Sequence, residues 1–293
     1  MALLILSVAA YGGVTLYEDY TADTTGPKIS MDSAEVTVSV EDGEEAILQG
    51  VTAEDARDGD VTAYLVVETM SNFITDGVRD ATIVSFDESG NVTKTSRRVT
   101  YIDYTSPQIT LSGPLAAPVN DTSELLDVIQ VTDCLDGDLT EQVQIIFDNT
   151  NQSAEVGDCA MHIQVSNSAG DTLDLPVTVR FYDQTAENSA AKLTLTEYLI
   201  YLEMGSKFDP LDYLDTLTVG NRSYHWSTSD KQMVSDDEDS LSNDEEDVIS
   251  RSAFDIEDGV DESTPGTYEV TYTYEGEDDV TGVTRLVVIV EEE

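Results

Sequence analysis

The sequence predicts an all-β protein, three tandem β-sandwich modules behind an N-terminal hydrophobic segment. Three observations carry that expectation. Apolar and polar residues alternate with a period of two, stretches of sequence recur at a nearly constant offset, and the alternating runs are bounded by Gly, Asp, Asn and Ser. Val36, Val38 and Val40 interleave with Glu35, Thr37 and Ser39, and Tyr268, Val270, Tyr272 and Tyr274 interleave with Glu269, Thr271 and Thr273. Alternation of this kind places one set of side chains on each face of a half-buried antiparallel strand. Short Val/Ile/Thr/Tyr strands between turn residues, in units of about 80–100 residues, argue for a sandwich.

From the N-terminus, Ala2–Leu16 is an uncharged, mostly apolar run. It falls short of the ~20 residues that span a bilayer comfortably. Its small residues Ser7-Val8-Ala9-Ala10 also fit a secretory cleavage site, and a buried strand or helix is the third reading. An uncleaved anchor over residues 1–17 is favoured, followed by an acidic linker over 18–26.

The repeat then begins. Thr52-Ala53-Glu54-Asp55-Ala56-Arg57-Asp58-Gly59-Asp60-Val61-Thr62 returns in shorter form as Val131-Thr132-Asp133-Cys134-Leu135-Asp136-Gly137-Asp138-Leu139-Thr140, an offset of 78 residues. Asp87-Glu88-Ser89-Gly90-Asn91 answers to Asn167-Ser168-Ala169-Gly170-Asp171 at an offset of 80. Two anchors at nearly one spacing define module 1 at 27–104 and module 2 at 105–184. A divergent module 3, 185–293, keeps the strand Pro265–Tyr274 and the closing run Arg285–Val290, lacks the Asp-Gly-Asp box and carries an acidic insertion at 235–247. Leu193–Leu202 alternates early and then becomes mixed, and it reads as one strand with a helix as the alternative.

Charge narrows the function. With 60 Asp+Glu against 13 Lys+Arg, the net charge is −47. That balance repels a phosphate backbone and an anionic lipid surface, leaving cations, basic proteins and neutral glycans as partners. Cys134 and Cys159, the only two cysteines, are expected to form a disulfide in an exported protein, with two reduced thiols as the alternative.

The order Thr-Ala-x-Asp, Asp-Gly-Asp-x-Thr, Gly-Thr-Tyr, Asp-x-x-Gly-Asn and a closing Arg-Val-Thr strand ending in Asp103 resembles bacterial immunoglobulin-like (HYR/cadherin-like) surface repeats. It also resembles membrane-anchored, multi-module proteins of Gram-positive bacteria. The resemblance is best in module 1 and covers most of 27–293. It implies immunoglobulin-like modules at the cell surface that serve as stalk, spacer or adhesive unit, meeting protein or glycan and touching the membrane only through the N-terminal segment.

The acidic boxes are the candidate chemistry. Asp55, Asp58 and Asp60, and again Asp133, Asp136 and Asp138, gather oxygen donors in a tight turn, a pattern that suits a Ca²⁺ site. Asp103 could complete such a site by folding back. The simpler reading is turn chemistry, because Asp bonds its own backbone and Gly supplies positive φ. Tyr224 and Trp226, flanking His225, form either a glycan-stacking patch or a core-edge cluster. His162 falls within a strand, and no phosphate loop, nucleophile elbow or metalloprotease motif is present, so a non-enzymatic protein is expected.

Overall fold

In the computed structural model, described for residues 11, 22–119, 121–148, 155–187, 190–236, 248–276 and 280–292, the alternating segments become strands of six sheets. The hydrophobic start and most of the acidic insertion, residues 237–247, lie outside the described residues. The chain divides into two compact units. The first ends at Ser106 and also takes in Ser168–Asp171; the second holds Pro107–Asn167 and Thr172–Glu293.

In the first unit the strands are β1 (Lys28–Met31), β2 (Glu35–Val38), β3 (Val51–Asp55), β4 (Gly59–Asp60), β5 (Val66–Met70), β6 (Val78–Phe86) and β7 (Val92–Tyr101). They form one sheet ordered β1-β3-β4 and another ordered β2-β7-β6-β5. Val51 and Ala53 from the first sheet cluster with Val61, Leu65 and Ile83, so the buried set alternates along each strand as the sequence pattern requires. Val38, Ala81 and Val99 gather around Ile47 of the short helix α1 (Glu44–Ile47). Arg97 is buried on the same face of β7, where its guanidinium donates to the carbonyls of Ile47 at 2.6 Å and Gln49 at 2.7 Å. It satisfies acceptors left open at the end of the helix.

The second unit repeats the plan. Strands β8 (Gln108–Leu111), β9 (Ala116–Pro118), β10 (Ile129–Asp133), β11 (Gly137–Asp138), β12 (Gln144–Phe147), β13 (Gly157–Ser166) and β14 (Thr172–Tyr182) make sheets β11-β10-β8 and β12-β13-β14-β9, the order of the first unit. The remaining strands are β15 (Lys192–Leu195), β16 (Leu199–Glu203), β17 (Leu214–Val219), β18 (Arg222–Ser227), β19 (Gln232–Ser235), β20 (Val248–Ser250), β21 (Phe254–Asp258), β22 (Gly266–Glu275) and β23 (Thr281–Glu291). They form a five-stranded sheet, β15-β17-β18-β19-β20, and a four-stranded one, β16-β23-β22-β21. The acidic insertion joins β19 to β20, which pair antiparallel from Gln232↔Ser250 to Val234↔Val248. A single hydrophobic cluster includes Ile109, Ile163 and Phe181 as well as Leu217, Tyr272 and Leu286. Tyr201 ties β16 to β8, its hydroxyl accepting from the Ile109 amide at 2.9 Å and donating to the Ile109 carbonyl at 3.2 Å.

Each sheet pair closes in the same way. An early strand crosses to the second sheet and pairs parallel with the last strand: β2 with β7, β9 with β14, β16 with β23. That crossing corrects the reading of Leu193–Leu202 as one strand. Its two halves, β15 and β16, lie in different sheets, and the mixed pattern at its centre marks the step between them.

The expected disulfide is also corrected. Cys134 and Cys159 are not joined to each other. Cys134 follows Asp133, whose carboxylate bonds Asn167 just beyond the end of β13, whereas Cys159 lies near that strand's start. At ~3.3 Å per residue the two are separated on the order of 20 Å, and a disulfide needs Cα atoms about 4.4–6.8 Å apart. Burial, then the charge of Asp148, pushes the Cys159 thiol up, which leaves it a poor nucleophile.

Candidate functional site

The first unit gathers three carboxylates from three separate parts of the chain. Asp55 ends β3, Asp87 opens the turn after β6, and Asp23 precedes β1. One oxygen of each lies within 4.8 Å of the others. Asp55 and Asp87 are 4% and 3% exposed, and the Asp23 side chain is 7% exposed.

The local turns explain why these groups point together. Asp55 Oδ1 accepts the amides of Arg57 at 2.7 Å and Asp58 at 3.1 Å, which closes the turn made possible by Gly59 at φ 74°. Asp87 Oδ1 accepts the Asn91 amide at 2.8 Å and Oδ2 accepts Asn91 Nδ2 at 2.7 Å. Burial works against ionisation of Asp87. The hydrogen bonds from Asn91, Ser89 and Gly90 together outweigh it and hold the carboxyl below its usual range. Asn91 Nδ2 also donates to the Asp23 carbonyl at 3.1 Å and so draws the N-terminal segment against this turn. The guanidinium of Arg57, itself exposed, stands 3.6 Å from Asp23 Oδ2. Three clustered anions with this much cover and one exposed cation beside them carry a large desolvation cost unless a positive charge compensates them. Oxygen-only donors of this type suit Ca²⁺.

Only Asp55 of the first predicted set belongs to this cluster. Asp58 is engaged instead by the backbone beside Asp87, accepting the Glu88 amide at 2.8 Å. Asp60 accepts the Thr62 amide at 3.0 Å, and the Thr62 hydroxyl, followed by that amide bond, holds it below its usual range. Asp60 is therefore a turn former. In the second copy Asp138 does the same with Thr140. Asp133 keeps the Asp55 role, accepting the amides of Leu135 at 2.8 Å and Asp136 at 2.9 Å, so Asp136 enters the turn through its backbone. The partner of Asp133 is an amide: Asn167, which stands where the first copy has Asp87, donates Nδ2 to Asp133 Oδ2 at 3.1 Å. Asp103 does not complete either cluster; it accepts Ser39 Oγ at 2.6 Å and the Val40 amide at 2.9 Å.

Tyr224 and Trp226 are 5% and 8% exposed. They alternate with exposed His225 on β18, and Trp226 packs edge-on to Phe254 with centroids 6.2 Å apart. The glycan-patch alternative is thereby corrected, because the rings face the interior of the sandwich.

A family model, bacterial Ig-like domain (group 3), matches residues 225–286, which run from β18 to β23. That segment is similar to bacterial Ig-like domains, in keeping with its two-sheet all-β fold. Among solved structures, the chain is similar to CBM51-2 in complex with GlcNAc and INT domains from Clostridium perfringens ZmpB. Identity there is 14%, over 51% of this chain and 26% of that one, with a TM-score of 0.22. A second ZmpB structure, the M60 catalytic domain with CBM51-1 and CBM51-2, gives 12% identity over 91% and 31% of the two chains at a TM-score of 0.22. The protocadherin GammaB4 extracellular domain gives 10% identity over 92% and 49%, with a TM-score of 0.20. The chain thus spans between about a quarter and a half of the length of these structures. No curated protein matches. Among the described residues no helix is long and apolar enough to cross a membrane.

Proposed function

We propose that the chain is an exported, non-enzymatic surface protein whose successive sandwiches act as a stalk and interaction surface, held to the membrane by residues 1–17. The observation that carries this reading is the repetition along the chain of a two-sheet sandwich closed by parallel pairing of an early strand with the last, with the Ig-like match in the third and larger one. A repeated unit with short connections adds length and presented surface. Its partners are proteins or glycans outside the cell. Protease treatment of intact cells expressing the tagged full chain is expected to remove the sandwiches and leave cytoplasmic markers whole. Protection of the chain from protease would sink the surface reading.

Within this role, Asp23, Asp55 and Asp87 bind Ca²⁺. The ion supplies the missing positive charge and cross-links the segment before β1 to the ends of β3 and β6. Support comes from the low exposure and close approach of the three carboxylates. Calcium at about a hundred times its Kd stabilises a folded unit by ~2.7 kcal/mol, so a clear rise in the melting temperature of the first unit is expected. Asp87→Asn, which installs the residue found at the matching place in the second copy, should abolish the rise. An equal rise in that variant, or none in the native chain, refutes the site.

A further inference from the structure

We infer that the outward face of the β2-β7-β6-β5 sheet is a docking surface for a basic protein segment that carries an apolar anchor. The solvent side of this sheet is divided. Toward one end Arg98 pairs with Asp80 at 3.1 Å, and along the middle Lys94, opposite Val84, pairs with Glu68 at 2.5 Å. Toward the other end the face is apolar. Val66 stands opposite Val84, and Phe86 opposite Val92, so these four share one side of the sheet. Tyr64, from the turn Thr62–Tyr64, stacks on Phe86 with centroids 5.1 Å apart and planes at 21°. Tyr64, Val66, Phe86 and Val92 are between 39 and 54% exposed. Single exposed apolar residues are ordinary, but a contiguous group containing a stacked aromatic pair, rimmed by charge, is the composition of a binding surface.

The charge around the patch selects the occupant. Lys94 and Arg98 are already paired within the face, and Arg57 faces Asp23. The acids nearest the apolar end are Glu88, two residues past Phe86, and Asp58, whose carboxylate accepts the Glu88 amide. A Lys- or Arg-bearing segment gains from these carboxylates and from the exposed ring faces, while its apolar anchor covers Val66 and Val92. A second copy of a chain with net charge −47 is repelled from the same face.

The inference rests on the surface-module reading only for the origin of the partner. Binding is measured with purified full chain in EDTA, so it succeeds or fails independently of export and of the carboxylate cluster. The probe is a short synthetic peptide of alternating lysine and serine around one tryptophan. It is expected to bind the native chain and to weaken with salt. Binding should fall roughly tenfold in Tyr64→Ser/Phe86→Ser with an unchanged melting temperature. It should also fall when the tryptophan is replaced by alanine or the lysines by glutamine. Should the double variant melt early, Val92→Thr, which keeps a good strand former, is expected to weaken binding about threefold. Equal binding by the variants, or by either control peptide, overturns the inference. So does competition by a neutral N-acetylglucosamine oligomer, which would assign the face to glycan, or a native dimer that the double variant loses.

Discussion

Trp226 and His162 show how differently two residues of similar standing in the sequence are used. Trp226 faces inward between the sheets, against Phe254, which in turn lies 5.5 Å from Tyr274. Removing it leaves a large cavity, so Trp226→Ala is expected to cost about 3–5 kcal/mol in denaturant unfolding of the second unit. His162 faces outward from β13, with Nδ1 2.6 Å from Asp174 and Nε2 3.3 Å from Asp148. The Asp174 hydrogen bond, followed by the charges of Asp174 and Asp148, holds its pKa above the usual value despite some desolvation. A raised histidine stabilises the fold fully below its unfolded value of about 6.5, and the contribution disappears as pH rises through the folded value. Thermal melts should therefore show native protein more stable than His162→Gln at about pH 5.5, with the gap closing by about pH 9. The inward and outward positions of Tyr224, His225 and Trp226 follow from strand alternation. Which face meets the core depends on the partner sheet, and nothing local to those three residues encodes it. The same limit applies to the acidic cluster. Asp55 was visible within its box, but Asp23 and Asp87 are 32 residues away on either side and meet it only through folding. Asp87 does open the Asp-Glu-Ser-Gly-Asn turn, the one local signal that would have led to it.

Among elements, the recurring box is a β3–β4 or β10–β11 hairpin with a precise division of labour. Gly59 and Gly137 turn the chain at φ 74° and 75°. Thr62 Oγ1 and Thr140 Oγ1 each accept an amide from the preceding strand, that of Ala53 or Val131, at 3.0 Å. An alanine at Gly137 would have to adopt the left-handed conformation, at a cost of about 1–2 kcal/mol. Thr62→Val keeps the volume but strips the Ala53 amide of its partner in a buried strand, which should cost a further ~1–3 kcal/mol on the same scale of urea midpoints. The Asp and Gly turn roles were readable because they act over two or three residues, whereas Thr62 and Thr140 reach amides nine residues back. Strand pairing across the sandwich was not readable, which is why Leu193–Leu202 looked continuous and why the two cysteines of a chain read as exported were expected to pair. Register, set by partners far away in sequence, decides both.

At the scale of the molecule, two compact units imply two unfolding steps. Calorimetry of the full chain is expected to resolve two transitions, with Tyr201→Phe lowering the second by about 0.5–1.5 kcal/mol and leaving the first in place. The parallel pairing that closes each sandwich has a further consequence when the chain is under tension. Force applied at the two ends of a sandwich pulls its early strand and its last strand in opposite directions along their common axis. The hydrogen bonds between them are then loaded together in shear and cannot open one after another. The pairing covers three residue pairs in β9–β14, four in β2–β7 and five in β16–β23. Single-molecule stretching should therefore find the sandwich closed by β16–β23 the last to rupture, and a chain built this way would hold its length against drag.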